Sequence, residues 1–142
     1  MRVQHEPRPV SGGDAPVALY ASDAVVTMPR GATLRAVADE LASDEIGLVV
    51  IGSKADVVGV LSERDVVRAA AASLDLSATL AGDVASTKVV WCDHTATVRE
   101  VAELMMEHYV RHVLLEQNGR LVGIVSARDV LGAYASADVI PE

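Results

Sequence analysis

Phenylalanine is absent from this chain, and Trp91 and Cys92 are its single tryptophan and single cysteine. A core without large rings must be filled by Val, Leu, Ile and Ala. One cysteine excludes an internal disulfide, so a reducing cytoplasm is the expected compartment. Basic side chains are scarce as well: 12 Lys and Arg stand against 20 Asp and Glu, for a net charge of −8. Phosphate backbones are gripped by basic faces, so no nucleic-acid partner is expected, while one small anion in a local basic pocket remains compatible. Long apolar runs are missing too. No stretch reaches the length of a bilayer span and no run of signal-peptide type stands near Met1, so no membrane role is expected. Residues 1–16, with Pro7, Pro9, Pro16 and two glycines, read as a loose tail.

What the chain has instead is repetition. Residues 25–71 and 89–135 align without a gap at an offset of 64, with 16 of 47 positions identical. The sharpest strings are Gly59-Val60-Leu61-Ser62-Glu63-Arg64-Asp65-Val66 and Gly123-Ile124-Val125-Ser126-Ala127-Arg128-Asp129-Val130. Two units of this size, each too small to bury a full core, are expected to pack on one another. A site lying between them should have a pseudo-symmetric twin. The boundaries read as tail 1–16, repeat 17–72, linker 73–81, repeat 82–136 and tail 137–142.

Each repeat reads β-α-β-β-α. In the first, the pattern predicts a strand at Val25-Val26-Thr27 and a helix from Thr33 that buries Leu34, Val37, Ala38 and Leu41. Strands follow at Ile46–Ile51 and Val57–Leu61, and then a helix headed by Ser62 that buries Val66, Val67, Ala69 and Ala70. The second predicts a strand near Lys88–Cys92 and a helix Thr97–Glu107 opened by the capping box of Thr97 and Glu100. Strands Val110–Glu116 and Leu121–Val125 flank the turn Asn118-Gly119, and a helix Ala127–Ala135 closes the unit. The linker is a connector with some helical potential. The fold class is α/β (α+β), with two such units related by a pseudo-twofold. A sheet with helices on one side must cover its other face, and the nearest cover is the second copy. The outer face of the pair is expected to form a homodimer.

The doubled string admits two readings. Ser62 and Ser126 stand where a serine caps a helix, and Asp65 and Asp129 fall in the first turn, where negative charge suits the dipole. Capping alone accounts for both pairs. Arg64 and Arg128 do not fit it, because a cation in the first turn opposes the dipole unless it meets an anion or a neighbouring acid. Gly59 and Gly123 open the preceding strands, where a missing side chain admits a second backbone or a ligand. A helix N-terminus with a hydroxyl suits phosphate, and a carboxylate beside it suits ribose hydroxyls. With an apolar slot for a base, the set describes a nucleotide.

On these strings the repeat resembles the CBS domain, the module named after cystathionine β-synthase, and residues 17–136 resemble one tandem CBS pair, or Bateman module, of the small stand-alone bacterial kind. The resemblance implies that Ser62 and Ser126 contact phosphate and that Asp65 and Asp129 contact ribose. It implies a base pocket lined by Ala24–Thr27, including Val25 and Thr27, and by Ala85–Val89, including Ser86 and Val89. It points to Gly47 and Leu48 in one copy, and to Arg111 and His112 in the other, as residues facing the cleft. Arg64 and Arg128 complete the expected ligand-binding set. The proline common in the family's middle strand is replaced by Val50 and Leu114. The implied ligand is an adenine nucleotide (AMP, ADP or ATP), with S-adenosylmethionine as the secondary candidate, held in one or both clefts. The implied role is a non-enzymatic sensor that signals to an unidentified downstream protein. The competing role is a ligand-free structural or protein-interaction module in which Arg64 and Arg128 form ion pairs.

Other residues invite further readings. Cys92, His94, His108 and His112 are zinc-ligand types, yet their spacing specifies no compact cluster, so no metal is expected. His94 and His108 read as exposed, Cys92 as a small buried apolar group, and Met105-Met106 as core. Trp91, Tyr109 and Tyr134 are candidates for a cleft wall or a dimer contact. No nucleophile signature or phosphate-binding glycine loop is present, and a duplicated motif suits two binding clefts better than one reaction centre.

Overall fold

A computed structural model describes residues 12–44 and 46–137. Repeat one contains β1 (Thr27–Met28), α1 (Leu34–Asp44), β2 (Leu48–Gly52), β3 (Val57–Ser62) and α2 (Glu63–Ala71). A short helix, α3 (Ala81–Val84), lies in the connection. Repeat two contains β4 (Trp91–Asp93), α4 (Val98–His108), β5 (His112–Gln117), β6 (Arg120–Ser126) and α5 (Ala127–Ala137). Each repeat forms a three-stranded sheet with its second strand central, parallel to the first and antiparallel to the third. The register Thr27–Val50–Val60 recurs as Trp91–Leu114–Ile124, and a bulge follows Ile51 and Leu115 alike.

The central strands are apolar on both faces because both faces are covered. In β2, Val49 and Ile51 pack under α1 with Leu34, Val37 and Leu41, while Leu48 and Val50 face the other repeat. In β5, Val113 and Leu115 join Val98, Val101 and Met105 of α4, while Leu114 meets Leu48, Val50 and Leu121 between the repeats. The order of layers is therefore helices, sheet, sheet, helices. A backbone bond from Leu121 N–H to the Lys54 carbonyl, 2.9 Å, also crosses the interface.

The helices start where capping chemistry starts them. Thr97 and Glu100 form a reciprocal box at α4, and Ser62 and Asp65 form one at α2. At α1 only half the box exists: the Ala36 amide donates to Thr33 Oγ1 at 3.1 Å, and Ala36 has no carboxylate to return.

Each repeat is completed by the lead-in segment of the other. The Val17 amide donates to Ala96, the Val98 amide donates to Ala15, and Val17 is fully buried under repeat two's first helix, α4. Gly12 lies against the Ala133–Tyr134 backbone, and Asp14 accepts from Arg99 at 2.6 Å. The twin segment does the same for repeat one: Leu34 and Arg35 donate to Thr79 and Leu76, and Ala81 is fully buried under α1. Residues 12–16 of the expected tail thus pack on repeat two. Residues 1–11 and 138–142, also read as tail, lie outside the described residues.

These lead-in segments explain the two glycines. Val60 and Ser86 exchange both backbone bonds, at 2.9 and 2.8 Å, and so do Ile124 and Ser22, at 2.9 and 2.8 Å. The approaching group is a second backbone. A Cβ on Gly59 would sit 2.6 Å from the Ser86 carbonyl oxygen, and one on Gly123 would sit 3.3 Å from that of Ser22.

Several sequence expectations are corrected. The first strands begin at Thr27 and Trp91, later than Val25 and Lys88, because Val25 and Val89 donate to the carbonyls two residues back, at Asp23 and Thr87. Such three-residue turns end the extended path of the lead-in. Val67 is 65% exposed and Met106 78% exposed, and Ala70 is exposed, because each lies on the uncovered face of its helix. Cys92, read as buried, and His94, read as exposed, are both half-buried.

The glycine pair makes a quantitative prediction. Gly59→Ala forces backbone apart and should cost roughly 1–3 kcal/mol. Gly123→Ala, with a looser contact, should cost under about 1 kcal/mol. Chemical denaturation of the two variants side by side measures the contrast.

Candidate functional site

The exchange of lead-in segments fixes which residues meet. The head of α2 does not face its own lead-in; it faces that of repeat two. Cleft one, of ≈ 760 Å³, is bounded by Ser62, Arg64 and Asp65 from repeat one and by Ser86, Val89, Arg111 and His112 from repeat two. Cleft two, of ≈ 220 Å³, is bounded by Ser126 and Asp129 on one side and by Ser22, Ala24 and Gly47 on the other. Anything lying in either cleft touches both repeats.

At the head of α2, the Ser62 amide and hydroxyl both donate to Asp65 Oδ2, at 2.8 and 2.9 Å, and the Asp65 amide donates to Ser62 Oγ at 3.2 Å. At the head of α5, the Ser126 amide donates to Asp129 Oδ2 at 2.8 Å and the Asp129 amide to Ser126 Oγ at 3.0 Å. Capping is therefore a real role of both pairs. It leaves capacity over: Oδ1 of each carboxylate accepts no bond from a described residue. The first amides of the helices, at Glu63 and Ala127, donate to the Gly47 and Arg111 carbonyls at 3.4 and 2.8 Å. The next amides, at Arg64 and Arg128, have no partner among the described residues. A free amide at a helix head, beside a hydroxyl, is a donor pair suited to an anion.

Leu48 and His112 occupy twin positions, and both line both clefts. They stand on the strand faces turned toward the other repeat, so they form the partition between the cavities. Burial pushes the His112 imidazole below its usual range; Asp129 pulls it upward and Arg111 pushes it further down. His112 is thus a neutral group poised between two candidate anion sites.

Of the residues expected at the site, Ser62, Arg64, Asp65, Arg111, Ser86 and Val89 line cleft one, Ser126 and Asp129 line cleft two, and Gly47 and His112 line both. Val25, Thr27 and Arg128 line neither. Val25 packs in the apolar cluster between the repeats, Thr27 is exposed on the edge strand β1, and Arg128 is exposed on α5. Ser22 and Arg68 line the clefts without having been singled out, while Lys88 falls within the expected segment Ala85–Val89 and Tyr109 was a candidate for a cleft wall. The 64-residue offset held the signal for Ser22, since it is the twin of Ser86. Arg68 sits one helical turn after Arg64. Tyr109, 91% exposed, has a left-handed φ of 55° at the end of α4, which no local pattern announces.

The remaining reactive side chains lie elsewhere. Burial, with Glu100 nearby, pushes the Cys92 thiol up, so it is held as the thiol. Among the described residues, no group of three or more His, Cys, Asp and Glu side chains is placed to hold a metal ion. No helix among them is long and apolar enough to cross a membrane.

Comparison with known proteins gives the arrangement its context. Hypoxic response protein 1 of Mycobacterium tuberculosis is 36% identical over 100 residues, covering 69% of this chain and 70% of that one. A CBS domain protein from Pyrobaculum aerophilum, solved in complex with AMP, is 35% identical with a TM-score of 0.73, covering 85% of this chain and 98% of that one. Hypoxic Response Protein I, solved with two coordinated zinc ions, is 31% identical with a TM-score of 0.69, covering 83% and 98%. The CBS domain family model matches residues 17–72 and 81–136. With two matched copies across most of its length, this chain belongs to the CBS domain family, as a tandem pair of the regulatory-module type.

Proposed function

We propose that this protein is a non-catalytic sensor that binds an adenine nucleotide of the AMP, ADP or ATP type in one or both clefts and passes the event to a partner protein. One observation carries the reading: each helix head, with its hydroxyl, free amide and half-used carboxylate, opens on a cleft whose other wall belongs to the other repeat. A ligand there bridges the repeats. The AMP complex of the Pyrobaculum aerophilum relative supports this choice of ligand. Binding becomes a signal when the ligand favours one arrangement of the repeats over another. S-adenosylmethionine is the secondary candidate. A cytoplasmic setting suits such a ligand.

The competing reading, a ligand-free interaction module, draws support from the complete capping boxes. It also expects ion pairs for Arg64 and Arg128, and neither side chain has one among the described residues. That difference favours the anion reading.

For assembly we propose a homodimer through the outer helices. Val67 and Leu131 are twins, 65% and 69% exposed, on α2 and α5. A native mass of twice the 14.9 kDa chain is expected, and a single-chain mass would remove the dimer.

Asp65→Ala separates the two readings. Loss of the cap should cost about 1 kcal/mol of stability in either case. Loss of a ribose contact should also weaken AMP or ATP about tenfold in calorimetry. A stability loss with unchanged affinity would support the bare scaffold.

His112 gives a pH prediction. Its pKa is lowered on folding, so its contribution to stability is present above the unfolded value of about 6.5 and is lost as pH falls through the folded value. A phosphate beside it reverses the preference. Binding should take up a proton, and affinity should rise as pH drops from 7.5 toward 5.5, two values chosen to bracket about 6.5. His112→Leu, which copies Leu48, should flatten both trends when binding and unfolding are followed across that range.

A further inference from the structure

The pseudo-twofold that builds two clefts does not build two equal ones. Cleft one carries four cationic side chains from three separate segments: Arg64 and Arg68 one turn apart on α2, Lys88 on the lead-in of repeat two, and Arg111 just before β5. Their twins 64 residues away are Arg128, Gly132, Ala24 and Gly47. Arg128 does not line cleft two, and the other three twins carry no charge. Cleft two keeps the Asp129 carboxylate and the shared His112 as its titratable groups among the described residues.

The four cations of cleft one are unusual within this chain. The net charge is −8, so acids to pair with are plentiful, and Arg35 and Arg99 do pair, with Asp39 and Asp14. None of the four makes an ion pair or hydrogen bond through its side chain to a described residue. Two carboxylates, Glu63 and Asp65, line the same cleft, but Asp65 is engaged by Ser62. Like charges four residues apart on one helix repel, so Arg64 and Arg68 are mutually destabilising unless an anion lies between them. A single phosphate at the helix head uses the Ser62 hydroxyl and the Arg64 amide. Arg68, Lys88 and Arg111 then remain for further negative charge. The cavities differ in the same sense. Sites for ligands of nucleotide size hold about 300–1,000 Å³. Cleft one, at ≈ 760 Å³, lies inside that range, and cleft two, at ≈ 220 Å³, lies below it.

We infer that cleft one is selective for a nucleoside polyphosphate, one per chain, with Arg68 and Lys88 as the residues that read the phosphates beyond the first. The inference rests on the nucleotide reading above and narrows it: the chain distinguishes a nucleoside triphosphate from the monophosphate, and the second cleft does not share this ability. A sensor with one such site reports the ratio of tri- to monophosphate.

The test is calorimetry with AMP, ADP, ATP and inorganic tripolyphosphate at fixed ionic strength. ATP should bind at one site per chain, at least about tenfold tighter than AMP, and the gap should shrink as salt is raised. Arg68→Ala with Lys88→Ala, which removes both charges from cleft one, should reduce that ratio to about unity by weakening ATP far more than AMP. Both residues are exposed, so thermal unfolding should stay near that of the parent. Equal affinities for AMP and ATP, two equal sites in the parent, or a preference that survives the Arg68/Lys88 change would overturn the selectivity and leave nucleotide binding standing. Binding of tripolyphosphate without any nucleotide would overturn the adenosine reading and keep the basic site. No binding of any of the four overturns both.

Discussion

Two pairs of backbone hydrogen bonds, Ser86 with Val60 and Ser22 with Ile124, hold each repeat's lead-in against the opposite repeat's third strand. The first pair closes because Gly59 presents no side chain there, and Gly123 eases the approach at the second. From this exchange the rest follows. It buries Val17 and Ala81 beneath helices that would otherwise be uncovered. It ties each repeat to chain outside its own sheet, so neither is complete alone. It also carries Ser86 and Lys88 to the wall opposite the head of α2, and Ser22 and Ala24 opposite that of α5. The clefts are thus products of the way the core is shared.

The helix heads then serve twice. Serine and aspartate satisfy each other across the first turn, which is a sufficient structural reason for both. The box consumes one carboxylate oxygen and two amides per helix, and what remains faces the cavity. Stability and recognition draw on different atoms of the same residues. This explains how a short string can be a fold signal and a site signal together, and why neither reading excludes the other.

Much of this was legible in the residues because it is local or periodic. The 64-residue offset, the capping pairs Thr97–Glu100 and Ser62–Asp65, and the apolar central strands all stand in the sequence and in the structure. What was not legible depends on long-range geometry. The turns at Val25 and Val89 shift the first strands by two or three residues, and Val25 and Thr27 line neither cleft, where the family resemblance had put them. Val67 and Met106 fit a helical stripe but lie beyond the width that one sheet covers. Residues 12–16 looked like tail because their partners, Ala133 and Arg99, are over eighty residues away. The unequal charge of the clefts was visible in the sequence only once the exchange showed which positions share a wall.

The central claim is that a nucleotide lies between the repeats, phosphates toward the head of α2. A crystal structure grown with saturating ATP tests it most directly. The account predicts one ligand per chain in the larger cleft, with a phosphate oxygen within hydrogen-bonding distance of the Ser62 hydroxyl and the Arg64 amide, and ribose on Asp65. An empty cleft at that concentration, or ATP bound away from the helix heads, would contradict it.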